Sequence, residues 1–146
     1  MIPDSETIVR LNAVLKAKLT GINQYFLHAR LLKHRGEVRL ADYEYKASLG
    51  AMKHADMLVE QVLSLGGAPS LQELDRLSIG DTAPAMLESD LALAEHALTQ
   101  IETALAHCES REDSGTAAVL AKILDSQREH IACLHKELNP LIKDCA

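Results

Sequence analysis

The chain has 146 residues, 47% of them hydrophobic, which is the size of one domain, 1–146, with a full core of its own. Trp is absent and Phe26 is the single Phe, while Leu and Ala dominate, so strands are poorly supplied and an all-α protein is expected. The net charge of −6 argues against a nucleic-acid surface and suits either a self-avoiding soluble protein or one that handles cations.

The segment Met1-Ile2-Pro3-Asp4-Ser5-Glu6 lacks a basic region followed by an apolar run. Nor does any stretch approach the roughly 20 apolar residues of a membrane span, so a cytoplasmic protein without membrane contact is expected. Helix one is expected from about Asp4 to His34, stopped at Gly36, where the left-handed conformation of a helix end is available. Helix two is expected from about Glu37 to Leu65, ending at Gly66-Gly67. The connection from Gly66 to about Thr82, with Pro69 and Gly80, is long for a bundle and suits a crossover between parallel helices. Helix three opens with Asp81 or Thr82 as cap and Pro84 in its first turn, and runs to about Glu109. Helix four starts near Asp113 and Ser114 and is stopped by Pro140. Short, long and short connections predict an up-down-down-up four-helix bundle. The three cysteines, Cys108, Cys133 and Cys145, show no paired ligand spacing, which argues against a zinc site or a disulfide framework. Cys108 and Cys133 read as small helix residues.

Apolar spacing of three and four residues marks the inward stripes. They are Ile8, Leu11, Leu15, Lys18, Ile22, Tyr25 and Ala29 on helix one, and Leu40, Ala47, Ala51, His54, Leu58 and Val62 on helix two. Helix three contributes Leu87, Leu91, Ala94, Leu98, Ile101 and Leu105, and helix four Leu120, Ile123, Gln127, His130, Leu134 and Leu138. Lys18, Tyr25, His54, Gln127 and His130 interrupt these stripes near mid-helix, at one level of the bundle. A di-iron site in such a bundle takes one Glu from each of two helices and a Glu-x-x-His motif from each of the others. Here those motifs read Ala51-x-x-His54 and Gln127-x-x-His130, with Lys18 and Ala94 on the other two helices.

Two Fe²⁺ ions bring four positive charges, which this set does not neutralise and to which Lys18 adds. The cluster reads either as a polar layer in which Gln127, Tyr25 and the two histidines hydrogen-bond one another while Lys18 is neutral or reaches water, or as a single metal on His54 and His130. A second apolar stripe, Leu19, Asn23, Phe26 and Leu27 on helix one with Tyr45, Leu49, Met52 and Met57 on helix two, predicts a two-fold subunit interface. On spacing alone, Met52 is a packing residue there.

The run Ile22-Asn23-Gln24-Tyr25-Phe26-Leu27-His28-Ala29-Arg30, after Leu11-Asn12, resembles the first helix of bacterioferritins. So do Met52-Lys53-His54-Ala55-Asp56, Leu71-Gln72-Glu73-Leu74, Ile79-Gly80 and Asp90-Leu91-Ala92-Leu93, and the resemblance extends from about Asp4 to Leu141. It implies a ferritin-like four-helix subunit that pairs across two-fold axes and builds a hollow 24-subunit shell storing ferric mineral. It further implies haem b at the two-fold interface, its iron held by Met52 from each subunit. Leu19, Ile22, Asn23, Phe26, Tyr45, Lys53, Met57 and Leu71 match the residues that line that haem.

Family members place Glu at the positions of Lys18, Ala51, Ala94 and Gln127, so no intact di-iron site and no catalytic residue is expected. Lys46, Ala47 and Gly50 stand where His or acidic residues are usual on the inner iron path, and Arg35 replaces a customary Trp. Only Leu141 to Ala146 follow Pro140, where the family continues into a fifth helix at the four-fold axis. The expectation is a haem-binding, ferroxidase-deficient subunit in a mixed shell with a ferroxidase-competent bacterioferritin subunit. Haem would then carry electrons inward from a bacterioferritin-associated ferredoxin to release stored iron. The alternatives are iron oxidation through a remodelled His54/His130 site, a haem-carrying dimer that forms no shell, and a structural subunit without haem.

Overall fold

Three of the four helices begin where a side chain accepts the amide hydrogens that the first turn leaves over. In the computed structural model, which describes residues 4–139, Asp4 caps α1 (Ser5–His34) by accepting from Glu6 and Thr7. Thr82 accepts from Ala85 to cap α3 (Ala83–Ser110), and Asp113 accepts from Thr116 to cap α4 (Ser114–Leu138). The start of α2 (Val38–Ser64) has no side-chain cap. Gly36 follows α1 with φ of 78°, the left-handed conformation expected there, and Gly66 follows α2 with φ of 79°. The expectations for Pro140 and the missing fifth helix lie outside the described residues.

Contacts between helix ends set the topology. Thr7 at the start of α1 meets His107 at the end of α3, and Arg39 at the start of α2 meets Glu137 at the end of α4. Gln61 at the other end of α2 bonds Thr116 near the start of α4. Adjacent helices are therefore antiparallel, with α1 and α4 on one diagonal and α2 and α3 on the other, which is the up-down-down-up bundle. Arg35, whose replacement of Trp had no explanation in the sequence, donates to the Asp81 carbonyl at 2.6 Å and ties the end of α1 to the threshold of α3. No helix among the described residues is long and apolar enough to cross a membrane.

The long crossover runs along α1 and hangs from it by side chains at every fourth residue. Asn12 donates to the Ala68 carbonyl and accepts from Ser70, and Lys16 pairs with Asp75 at 3.4 Å. Thr20 accepts from the Asp75 amide, Gln24 from Ser78 and His28 from Gly80, at 2.9, 3.1 and 3.2 Å. An irregular segment cannot satisfy its own amides, and this ladder does so for it. At Gly80 the approach leaves no room for a side chain, since an added Cβ would sit 2.3 Å from the Met86 nitrogen.

Apolar packing closes the two ends of the bundle. Leu11, Leu15, Leu58, Val62, Ile101 and Leu120 fill one end, and Leu32, Met86, Leu87 and Leu134 the other. Polar side chains occupy the middle. Cys108 is a buried free thiol, whereas Cys133 is disulfide-bonded, which corrects its reading as a plain helix residue.

Candidate functional site

Between the apolar ends lies a cavity of about 310 Å³ lined by Lys18, Tyr25, Ala51, His54, Gln127 and His130. The five polar residues expected at one level therefore do share a space. Lys18 donates to Gln127 Oε1 across the α1/α4 diagonal, and Gln127 Nε2 donates to the Ala94 carbonyl at 2.9 Å. Burial lowers the Lys18 pKa to about 8, which leaves it mostly charged at neutral pH.

The histidines do not bond Gln127 or Tyr25 as the polar-layer reading had it. His130 Nδ1 instead meets the Tyr43 hydroxyl at 3.0 Å, and Tyr25 only packs its ring edge-on against His130, with centroids 5.3 Å apart. His54 Nδ1 and His130 Nε2 are buried without a partner. Burial first, then the charge of Lys18, pushes both imidazoles down to about 4, so both are neutral at pH 7. Besides Lys18, the charged residues of the lining are Lys46 and Glu129, both exposed.

A second polar layer, absent from the expectations, lies next to the cavity. His28, Glu44 and Asp90 are fully buried, and one ligand-type atom from each falls within 4.8 Å of the others. Backbone donors fix the roles in this layer. His28 Nε2 accepts from Gly80, so the ring proton sits on Nδ1 and is donated to Asp90 Oδ1 at 2.9 Å. Gln24 Oε1 accepts from Ser78, so its amide nitrogen donates to the same Asp90 oxygen at 3.0 Å. A protonated Nδ1 cannot ligate a cation, and the layer is a hydrogen-bonded strut rather than a metal centre. Glu44 lies 3.5 Å from that nitrogen, and its carboxyl oxygens and Asp90 Oδ2 have no other hydrogen-bond partner. Burial, followed by the neighbouring Asp90, pushes the Glu44 pKa well above the usual carboxylate range, so Glu44 holds a proton at neutral pH for which Asp90 Oδ2 is the natural acceptor.

The outward face of α1 and α2 is apolar as expected. Phe26, Leu27, Tyr45, Leu49 and Met52 are all more than a third exposed, Met52 most of them at 59%. Phe26 and Tyr45 lie 6.3 Å apart, with the Arg30 guanidinium 5.3 and 5.8 Å from their centroids. Asn23, Lys53 and Leu71 are exposed too, whereas Leu19, Ile22 and Met57 are half-buried and pack on the core from beneath that face.

The ferritin-like domain family matches residues 8–142. A bacterioferritin of Mycolicibacterium paratuberculosis (strain ATCC BAA-968 / K-10) is 34% identical over 140 residues, covering 96% of this chain and 88% of the relative. The chain belongs to the bacterioferritin family. Bacterioferritin BfrA of Mycobacterium tuberculosis (strain ATCC 25618 / H37Rv) is 33% identical over the same share of both chains. The bacterioferritin of Rhodobacter capsulatus is 32% identical over 136 residues, 93% of this chain and 84% of that one.

Within this bacterioferritin-family bundle, Tyr43, Glu44 and Asp90 are the residues that sequence reasoning missed. Glu44 and Asp90 are polar residues on otherwise apolar faces, so a stripe drawn from apolar spacing passes over them.

Proposed function

We propose that this chain is the haem-carrying, ferroxidase-deficient subunit of a bacterioferritin, storing iron in a mixed shell beside a ferroxidase-competent subunit. The observation that carries this reading is the charge of the central cavity. Among the described residues its buried lining has one cationic side chain and no carboxylate, and its two imidazoles are neutral. Two ferrous ions bring four positive charges that this lining does not offset, and leaving them unpaired would cost several kcal/mol each in this setting. The residues present do not fit a di-iron centre, so no oxidation step is assigned to this chain.

The outward face, by contrast, fits haem. A soft, exposed thioether at Met52, set among Phe26, Tyr45, Leu49 and Leu71, suits a planar apolar cofactor sandwiched between two copies across a two-fold axis. Met52 of each subunit would hold the haem iron; Leu19, Ile22 and Met57 would floor the site, and Asn23 and Lys53 would border it. Bound there, haem supplies a one-electron carrier between a ferredoxin outside and ferric mineral inside. Self-dimers in a cytoplasmic shell, with a bacterioferritin-associated ferredoxin as donor, complete the reading.

Substituting Met52→Leu tests the haem site. The variant is expected to assemble normally, because an exposed side chain of similar volume replaces the thioether, but to lose the low-spin absorption spectrum of bis-thioether haem. An unchanged spectrum would remove Met52 as ligand.

A further inference from the structure

The central cavity has more to it than the loss of a metal site. Lys18 is buried to 6% exposure, and its one hydrogen-bond acceptor among the described residues is the neutral amide of Gln127. That amide is fixed in orientation by its bond to the Ala94 carbonyl, and among the described residues no carboxylate pairs with the ammonium. Of the two exposed charges lining the cavity, Lys46 is paired with Asp42 at 3.0 Å, and Glu129 makes no ion pair with Lys18.

The two histidines add unmatched ring nitrogens, of which that of His130 is a donor. The Tyr43 phenol is held in its protonated form by burial, so it is the donor in its bond to His130 Nδ1. The proton of the neutral His130 ring is then on Nε2, which is buried without an acceptor, and His54 Nδ1 is likewise unmatched. The cavity therefore presents an ammonium with spare N–H groups and an imidazole N–H within walls of Ala17, Gly21, Gly50, Ala51 and Ala97. What such a lining lacks is negative charge with acceptor lone pairs. A cation would meet Lys18 as repulsion.

We propose that this cavity is a binding site for a small monovalent anion, a halide or a short carboxylate such as formate, held between Lys18 Nζ and His130 Nε2 with His54 as a further partner. Burying a charge is costly unless it is paired, and one anion pairs Lys18 and satisfies the orphaned imidazole at once. At about 310 Å³ the cavity holds such an ion together with several waters. The site is independent of haem and would close the space to ferrous iron by charge.

The test uses the assembled full-length protein, with calorimetric titration of sodium formate at constant ionic strength and anomalous diffraction from crystals soaked in bromide. Expected are one formate per chain and a bromide peak between Lys18 and His130. Lys18→Met is expected to weaken formate binding about tenfold to a hundredfold, the worth of one charge-assisted hydrogen bond. A bromide map with no peak in the cavity, affinity unchanged in Lys18→Met, or Zn²⁺ bound there with formate excluded would each overturn the proposal. The wild-type map decides even where the variant fails to fold.

Discussion

Replacing Asp90 with alanine is expected to cost about 4 kcal/mol of stability, the largest single-residue loss in the bundle. Asp90 Oδ1 accepts from Gln24 and from His28, and its second oxygen lies beside the protonated carboxyl of Glu44. Alanine strands all three inside a layer with no solvent access. Gln24 and His28 also hold the Ser78 and Gly80 amides, so hydrogen exchange at those two positions should accelerate in the variant. Denaturant unfolding gives the magnitude, and a loss below about 1 kcal/mol would contradict the strut.

The companion substitution Glu44→Gln is expected to be tolerated, because glutamine imitates the neutral acid. A carboxyl whose folded pKa is raised, as burial and Asp90 raise that of Glu44, contributes fully below its unfolded pKa and loses that contribution as the pH rises from there toward the folded pKa. Glu44→Gln removes the loss, so the variant should gain on the wild type steadily as the pH is raised through neutrality. A difference that does not change with pH would show that Glu44 is not held neutral.

Restoring glutamate at Lys18, Ala51, Ala94 and Gln127 together is expected to raise the rate of ferrous oxidation at least about a hundredfold, equivalent to about 3 kcal/mol of barrier. Ala51 and Ala94 are buried on α2 and α3, Lys18 and Gln127 on α1 and α4, and Lys18, Ala51 and Gln127 line the cavity in which His54 and His130 stand. Four carboxylates would supply the charge that two divalent ions require and remove the ammonium that opposes them. Without metal the four acids repel one another, so this variant should also melt lower than the wild type when apo and be rescued by Fe²⁺ or Zn²⁺. Stopped-flow mixing with Fe²⁺ and oxygen reads the rate. Oxidation that stays at the wild-type level would locate the defect outside these four positions.

The bundle was legible because its punctuation is chemical. Gly36, Gly66, Thr82, Pro84 and Asp113 each do at a helix end what their type permits, and the two short and one long connections leave few topologies. The cavity was legible to the extent that polar residues broke apolar stripes, which brought Lys18, Tyr25, His54, Gln127 and His130 to one level. Their partners were not legible, because a stripe gives position along a helix and not the direction of a hydrogen bond. His130 took Tyr43, which lies three residues after Leu40 and four before Ala47 on the face of helix two but was not counted in its stripe, in place of Gln127 or Tyr25.

The buried layer of His28, Glu44 and Asp90 escaped for a different reason. Apolar periodicity is blind to groups buried because they are mutually satisfied. A signal for them did exist in Asn12, Lys16, Thr20, Gln24 and His28, polar residues four apart along one face of α1 beside a connection whose amides needed acceptors.

The division of labour is tested most directly by stopped-flow oxidation of Fe²⁺ by the wild-type chain assembled alone, without a partner subunit. The account predicts only slow oxidation, without a saturable phase and no faster than that of ferrous iron in buffer. A fast phase that saturates with Fe²⁺ per chain would contradict it and return the oxidising site to His54 and His130.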